Sequence, residues 1–163
     1  MTHNLYALAK QLGEVCLAKN TKIALAESCT GGSLSALITD IAGSSAWFNG
    51  SVVVYSNAGK ENLIDVPNAL IKQEGAVSES VAKAMAQGVL QKFSADIALS
   101  ITGIAGPGGG SEKKPVGTVC FALADKKTGT CESKTMLFVS GRDAIRKGAC
   151  AFALHWMIRS ISV

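Results

Sequence analysis

Histidine is almost absent from this chain: His3 and His155 are the two in 163 residues. His3 stands near the N-terminus and His155 inside an apolar helical pattern, so a Ser-His-Asp triad or a histidine metal site has almost nothing to use. The five cysteines (Cys16, Cys29, Cys120, Cys131, Cys150) are odd in number, widely spaced and never form a CxxC pair. Neither a disulfide framework nor a zinc cluster is signalled, and reduced thiols are expected. No stretch approaches the roughly 18 apolar residues of a membrane span, and residues 1–11 alternate polar with apolar types where a signal peptide would build an apolar core. That pattern leads us to expect a cytoplasmic protein without membrane contact. A basic stripe is missing too. Sixteen basic against twelve acidic residues leave +4, with lysines scattered singly or in pairs such as Lys113 and Lys114, so no nucleic-acid face is marked. A mild surplus of this kind suits a small anionic ligand.

What is present is enough for an ordinary core. Apolar residues make up 48 %, charged residues 17 %, and the mean hydropathy is +0.28, which suits a folded domain and not a disordered one. At roughly 100 to 200 residues per domain, the expectation is a single domain over 1–163, folding alone or as a small homo-oligomer. Leu5, Leu8, Leu12 and Val15 recur at helical spacing and predict a helix over 4–18. Residues 22–26 (KIALA) read as a strand, followed by a turn over 27–30 and a helix over 31–41. The β-branched run 51–55 (SVVVY) predicts a second strand, then a polar helical turn over 57–64 and a short helix opened by Pro67. Val81, Met85, Val89 and Phe93 stand at i,i+4 positions and predict a helix over 78–93 with Ser78 as its N-cap. Residues 96–102 read as a buried strand that runs into a glycine-rich stretch over 103–117. Two further strands, 116–124 and 130–139, flank a hairpin turn at 126–129. Ser140 and Asp143 have capping-box spacing ahead of a last helix over 142–159.

This order predicts an α/β fold, a three-layer α/β/α sandwich with a mixed sheet. In such folds ligands gather where strand carboxyl ends meet helix starts. Three segments qualify. The first, AESCTGG over 26–32, ends a strand and opens a helix, whose free amides and positive dipole end favour an anion or an oxyanion. Ser28 there is either a nucleophile or, with Thr30, an ordinary helix cap. Cys29 is a third candidate, since a thiol at a helix start tends toward the thiolate, or else a small buried residue. The second, YSNAGK over 55–60, offers Lys60 as a general base for a serine if its surroundings lower its pKa; the alternative is a solvated helix lysine beside a packed Tyr55. The third, TGIAGPGGGSEKKPVG over 102–117, is neither a Walker A loop, because Gly109 follows Gly108 where lysine is needed, nor a GxGxxG fingerprint. It is a ligand loop or a mobile connection.

AESCTGG, ITDIAGSSAWF, VVYSNAGK, GAVSE, SITGIAGPGGGSEKKPVGTV and GRDAIR, in that order, closely resemble the C-terminal domain of the competence/damage-inducible protein CinA. The resemblance covers roughly residues 20–155. A chain of this length looks like the stand-alone amidohydrolase of that family. The resemblance implies hydrolysis of the carboxamide of nicotinamide mononucleotide to nicotinic acid mononucleotide and ammonia, with a small nucleotide as partner and no metal or organic cofactor. Carried over by motif, Ser28 would be the nucleophile, Lys60 its general base, and Tyr55 a hydroxyl that assists or positions. Ser45 and Arg142 would hold substrate or reacting groups. Helix-start amides after Ser28 (Thr30, Gly31, Gly32), together with Thr102 and Gly103, would face the oxyanion or substrate, and Arg142 or the glycine loop would take the 5′-phosphate. The second reading is a non-catalytic pyridine- or ADP-ribose-type nucleotide-binding module.

Overall fold

The computed structural model describes residues 4–163; His3 lies outside them. A five-stranded sheet runs through the molecule in the order β2-β1-β3-β4-β5. Its strands are β1 (Ile23–Glu27), β2 (Phe48–Val53), β3 (Ile97–Gly103), β4 (Thr118–Asp125) and β5 (Thr130–Leu137). β1 pairs in parallel with both β2 and β3, while β4 and β5 add antiparallel strands at the far edge. The hairpin forces this mixture, because strands joined by a tight turn can only run antiparallel. β1 and β3 are buried on both faces, which is why they read as continuous apolar runs.

Helices cover both faces. α1 (Leu5–Ala18) and α6 (Arg142–Ser162) pack on each other, and α2 (Ser33–Thr39) packs on both, to form one layer. α5 (Glu79–Lys92) lies across β3 and β4 on the opposite face, backed by α3 (Asn57–Ile64) and α4 (Asn68–Glu74). The α/β/α sandwich is thus complete. Asn4 caps α1 through the Ala7 amide, and Ser78 caps α5 through Val81, so the long N-terminal and central helices start where their capping residues placed them. Among the described residues no helix is long and apolar enough to cross a membrane.

Several elements differ in detail from the sequence reading. β2 was expected over 51–55 but begins at Phe48, because its register is set by parallel pairing from Ile23↔Phe48 to Glu27↔Val53, and Tyr55 has already left the sheet. α2 is shorter than 31–41 because Gly31 and Gly32 hold positive φ angles of 59° and 92°, outside helical geometry. The capping box at α6 does not form. Gly141 is the N-cap and makes no side-chain bond, and Asp143 instead pairs with Lys147 one turn on at 2.7 Å.

Candidate active site

The carboxyl ends of β1 and β3, the turn after β2 and the start of α6 surround a cleft of about 200 Å³. Ser28 follows the last residue of β1, and its amide is tied to the Ile101 carbonyl of β3 at 2.9 Å, which anchors it at the strand ends. Because β1 and β2 are parallel neighbours, the turn after β2 arrives beside it. Ser56 caps α3 through the Gly59 amide at 2.9 Å, and this start places Lys60 on the inner side of the first turn.

Lys60 is buried to 1 % exposure, so the solvated alternative does not hold. Its Nζ lies 3.0 Å from Ser28 Oγ, 3.0 Å from the Val54 carbonyl and 3.3 Å from the Tyr55 carbonyl. Burial pushes its pKa below the ordinary lysine value, against a smaller opposing pull from Cys29. Nζ donates to Ser28 Oγ and to both carbonyls, a set that three N–H groups fill when the amine is charged; when it is neutral, two N–H groups serve the carbonyls and the lone pair is free to take the Ser28 hydroxyl proton.

Cys29 behaves differently from a helix-start thiolate. It is 6 % exposed, and burial pushes its thiol up to about 11, outweighing the downward pull of its own amide and of Arg146. The thiol stays protonated at neutral pH, and it packs against Gly103, where an added Cβ would come within 3.1 Å of Cys29 Sγ and 2.8 Å of Val119 Cγ2.

The amides that open α2 are not free. The Glu27 carboxylate, fully buried, accepts from the amides of Gly32 at 3.1 Å, Leu34 at 3.2 Å and Ser35 at 2.8 Å, and from the Ser35 hydroxyl at 2.5 Å. The amide of Gly31 bonds back to the Ser28 carbonyl. So the helix-start site already holds the protein's own anion, and Gly31 and Gly32 serve to bend the chain. Sequence reasoning gave Glu27, which ends β1, no role of its own, because it was read only as the first residue of the turn over 27–30. It also passed over Arg146, which lies one helical turn beyond Arg142 on the same face and bonds the Cys29 and Thr30 carbonyls and Ser33 Oγ at 3.0–3.1 Å.

Tyr55 stands on the rim with 61 % exposure. Its hydroxyl accepts from Arg142 Nη2 at 3.3 Å, and Arg142 Nη1 donates to the Gly106 carbonyl of the glycine-rich loop at 2.7 Å. Arg142 therefore ties the turn after β2 to that loop across the mouth of the cleft. Thr102 and Gly103 line the cleft, and the Thr102 hydroxyl donates to the Ala76 carbonyl. Asn57, Ala76 and Val77 line it as well. Thr30 is buried behind the wall and does not line the cleft. Ser45 is exposed on a short 3-10 turn just before β2, at the strand end paired with Ile23. That is roughly 16 Å along the sheet from Ser28, at about 3.3 Å per residue. His155 is exposed on α6, roughly 20 Å along the helix from Arg142 at 1.5 Å per residue.

A mixed α/β/α sandwich with a buried serine-lysine pair at its strand ends is the class that this geometry defines. The family model of the CinA C-terminal domain matches residues 5–161, and the chain belongs to that family. It is 47 % identical over 155 residues to the nicotinamide-nucleotide amidohydrolase PncC of Enterobacter agglomerans, covering 95 % of this chain and 94 % of that protein. It is 51 % identical over 143 residues to a CinA-like protein of Geobacter sulfurreducens, covering 88 % of this chain but 34 % of that protein. The chain thus spans about a third of the length of the CinA-like proteins it matches. A crystal structure of a CinA superfamily protein from Klebsiella pneumoniae has a TM-score of 0.94 at 32 % identity, covering 98 % of this chain and 99 % of that one.

Proposed function

We infer that this chain hydrolyses the carboxamide of nicotinamide mononucleotide, releasing nicotinic acid mononucleotide and ammonia. The observation that carries the reading is the buried Lys60 amine, 3.0 Å from Ser28 Oγ with two carbonyls on its other sides. The amidohydrolase name of relatives matched over nearly their whole length supports the substrate.

The residues act in two steps. Ser28 Oγ adds to the carboxamide carbon while neutral Lys60 takes the hydroxyl proton, and the resulting tetrahedral oxyanion needs donors at the cleft wall. The Lys60 ammonium then protonates the departing nitrogen, and ammonia leaves behind an acyl ester on Ser28. Water adds to that ester with Lys60 again as base, so that the carboxylate is released and Ser28 recovers its proton. Thr102 and Gly103 shape the wall against which the ring lies. The 5′-phosphate is assigned to the Arg142 guanidinium, since the amides at the start of α2 are occupied by Glu27. Tyr55 on the rim orients Arg142 and offers its ring to the substrate.

Ammonia release from nicotinamide mononucleotide by the purified protein, with and without chelator, tests the reading. Turnover unchanged by chelator is the expected result. Tight nucleotide binding without ammonia would replace the enzyme by a binding module.

A further inference from the structure

The turn between β1 and α2 leaves two amides without an acceptor in another residue. Among the described residues, the amides of Ser28 and of Gly31 through Ser35 all bond to other residues, whereas those of Cys29 and Thr30 do not. Their peptides are trans, so each N–H points opposite to the carbonyl of its own peptide plane. Fixing that carbonyl therefore aims the amide. The Ser28 carbonyl is fixed by the Gly31 amide at 3.0 Å, and this sets the Cys29 amide. The Cys29 carbonyl is fixed by Arg146 Nε at 3.1 Å, and this sets the Thr30 amide away from the guanidinium.

Arg146 reaches the turn from α6, half-buried. Its Nη2 also donates to the Thr30 carbonyl and to Ser33 Oγ, both at 3.0 Å, so one planar fork holds two successive peptides. The Thr30 side chain adds no tie to the turn: its hydroxyl is buried without a partner. Nor is the charge cancelled, since Arg146 forms no ion pair among the described residues.

We propose that Arg146 is a positioning residue for this hydrolysis: by holding the Thr30 carbonyl it fixes the Gly31 peptide, whose amide in turn holds the Ser28 carbonyl, and so it keeps the Cys29 amide, in the cleft wall, aimed at the oxyanion formed when Ser28 adds to the carboxamide. The proposal rests on the amidohydrolase reading above. A donor set of this kind acts on the transition state and leaves ground-state binding nearly untouched. Lysine in its place keeps the charge but cannot hold both peptides with one rigid fork.

The test is steady-state ammonia release by the wild type, Arg146→Lys and Arg146→Ala, with binding of nicotinic acid mononucleotide measured by calorimetry. Both variants should lose kcat on the order of 10- to 100-fold, the cost of misplacing catalytic groups. Product affinity should stay within about threefold, and the pH profile of the remaining activity should keep the wild-type limb, because the Ser28–Lys60 pair is intact. Millimolar guanidinium should restore part of the Arg146→Ala rate. A kcat for Arg146→Lys within twofold of wild type overturns the proposal, as does a loss confined to KM. Those outcomes leave the amidohydrolase reading standing, while a wild type that releases no ammonia removes both.

Discussion

Glu27→Gln removes one oxygen from a carboxylate that has no exposure to solvent. Oε2 accepts from the Gly32 and Leu34 amides, and Oε1 from the Ser35 amide and hydroxyl. Glutamine keeps one acceptor oxygen and turns an NH2 group toward the other pair. Placed toward Ser35, the NH2 leaves the Ser35 amide without an acceptor, while the Ser35 hydroxyl accepts from it and donates to Ser51 Oγ, 2.7 Å away. A buried donor left unsatisfied costs about 1–3 kcal/mol. Against a whole-domain stability of about 5–15 kcal/mol, this is a sizeable fraction. A domain of this size shifts its Tm by about 2–4 °C per kcal/mol, so Glu27→Gln should melt about 4–8 °C lower. Thermal unfolding followed by circular dichroism reads this directly. Asp65→Asn is the control: Asp65 is exposed and pairs with exposed Lys92 at 2.8 Å, an interaction worth about 0–1 kcal/mol. If Glu27→Gln melts within about 2 °C of the wild type, the carboxylate is not what holds the start of α2 and the argument fails.

Ser28→Ala should lose turnover by about 10³-fold or more, while Cys29→Ala keeps most of it because the thiol is protonated at neutral pH; the opposite ranking in an ammonia assay would identify a thiol enzyme. Since burial depresses the Lys60 pKa, kcat should rise with pH along a limb below the ordinary lysine value, and a flat profile would remove Lys60 as the base. The same depression means that the unfolded chain binds the Lys60 proton more readily, so this group's contribution to stability increases with pH between its folded and its ordinary pKa and is lost on acidification. Lys60→Arg, which cannot deprotonate, should be nearly as inactive as Lys60→Ala. Gly88→Ala should destabilise the protein despite alanine's better helix propensity, because the new Cβ would stand 2.0 Å from the Ile64 carbonyl oxygen; a raised Tm would contradict the close approach of α5 to the end of α3.

Local pattern was enough for the layers. The helical spacing of α1 and α5, the apolar runs of β1 and β3 and the hairpin of β4 with β5 are properties of short windows, and a side-chain period survives whatever the rest of the chain does. Ser28 and Lys60 were visible as residue types able to react, but their spacing alone did not separate a nucleophile from a helix cap or a base from a surface lysine. Their meeting across 32 residues comes from the parallel pairing of β1 with β2, which sets two strand ends side by side. Burial decides the rest. A lysine becomes a candidate base only where Val54 and Tyr55 turn their carbonyls inward and solvent is excluded, and Cys29 loses its thiolate character for the same reason. Glu27 and Arg146 show the limit of reading by segment: a residue that ends a strand caps the next helix, and an arginine more than a hundred positions away fixes the carbonyls beside the serine. The sequence by itself determined which elements form and which side chains could react. The tertiary structure decided which of them meet and in what charge state, because hydrogen-bond partners and dielectric surroundings belong to the packed chain and not to any stretch of it.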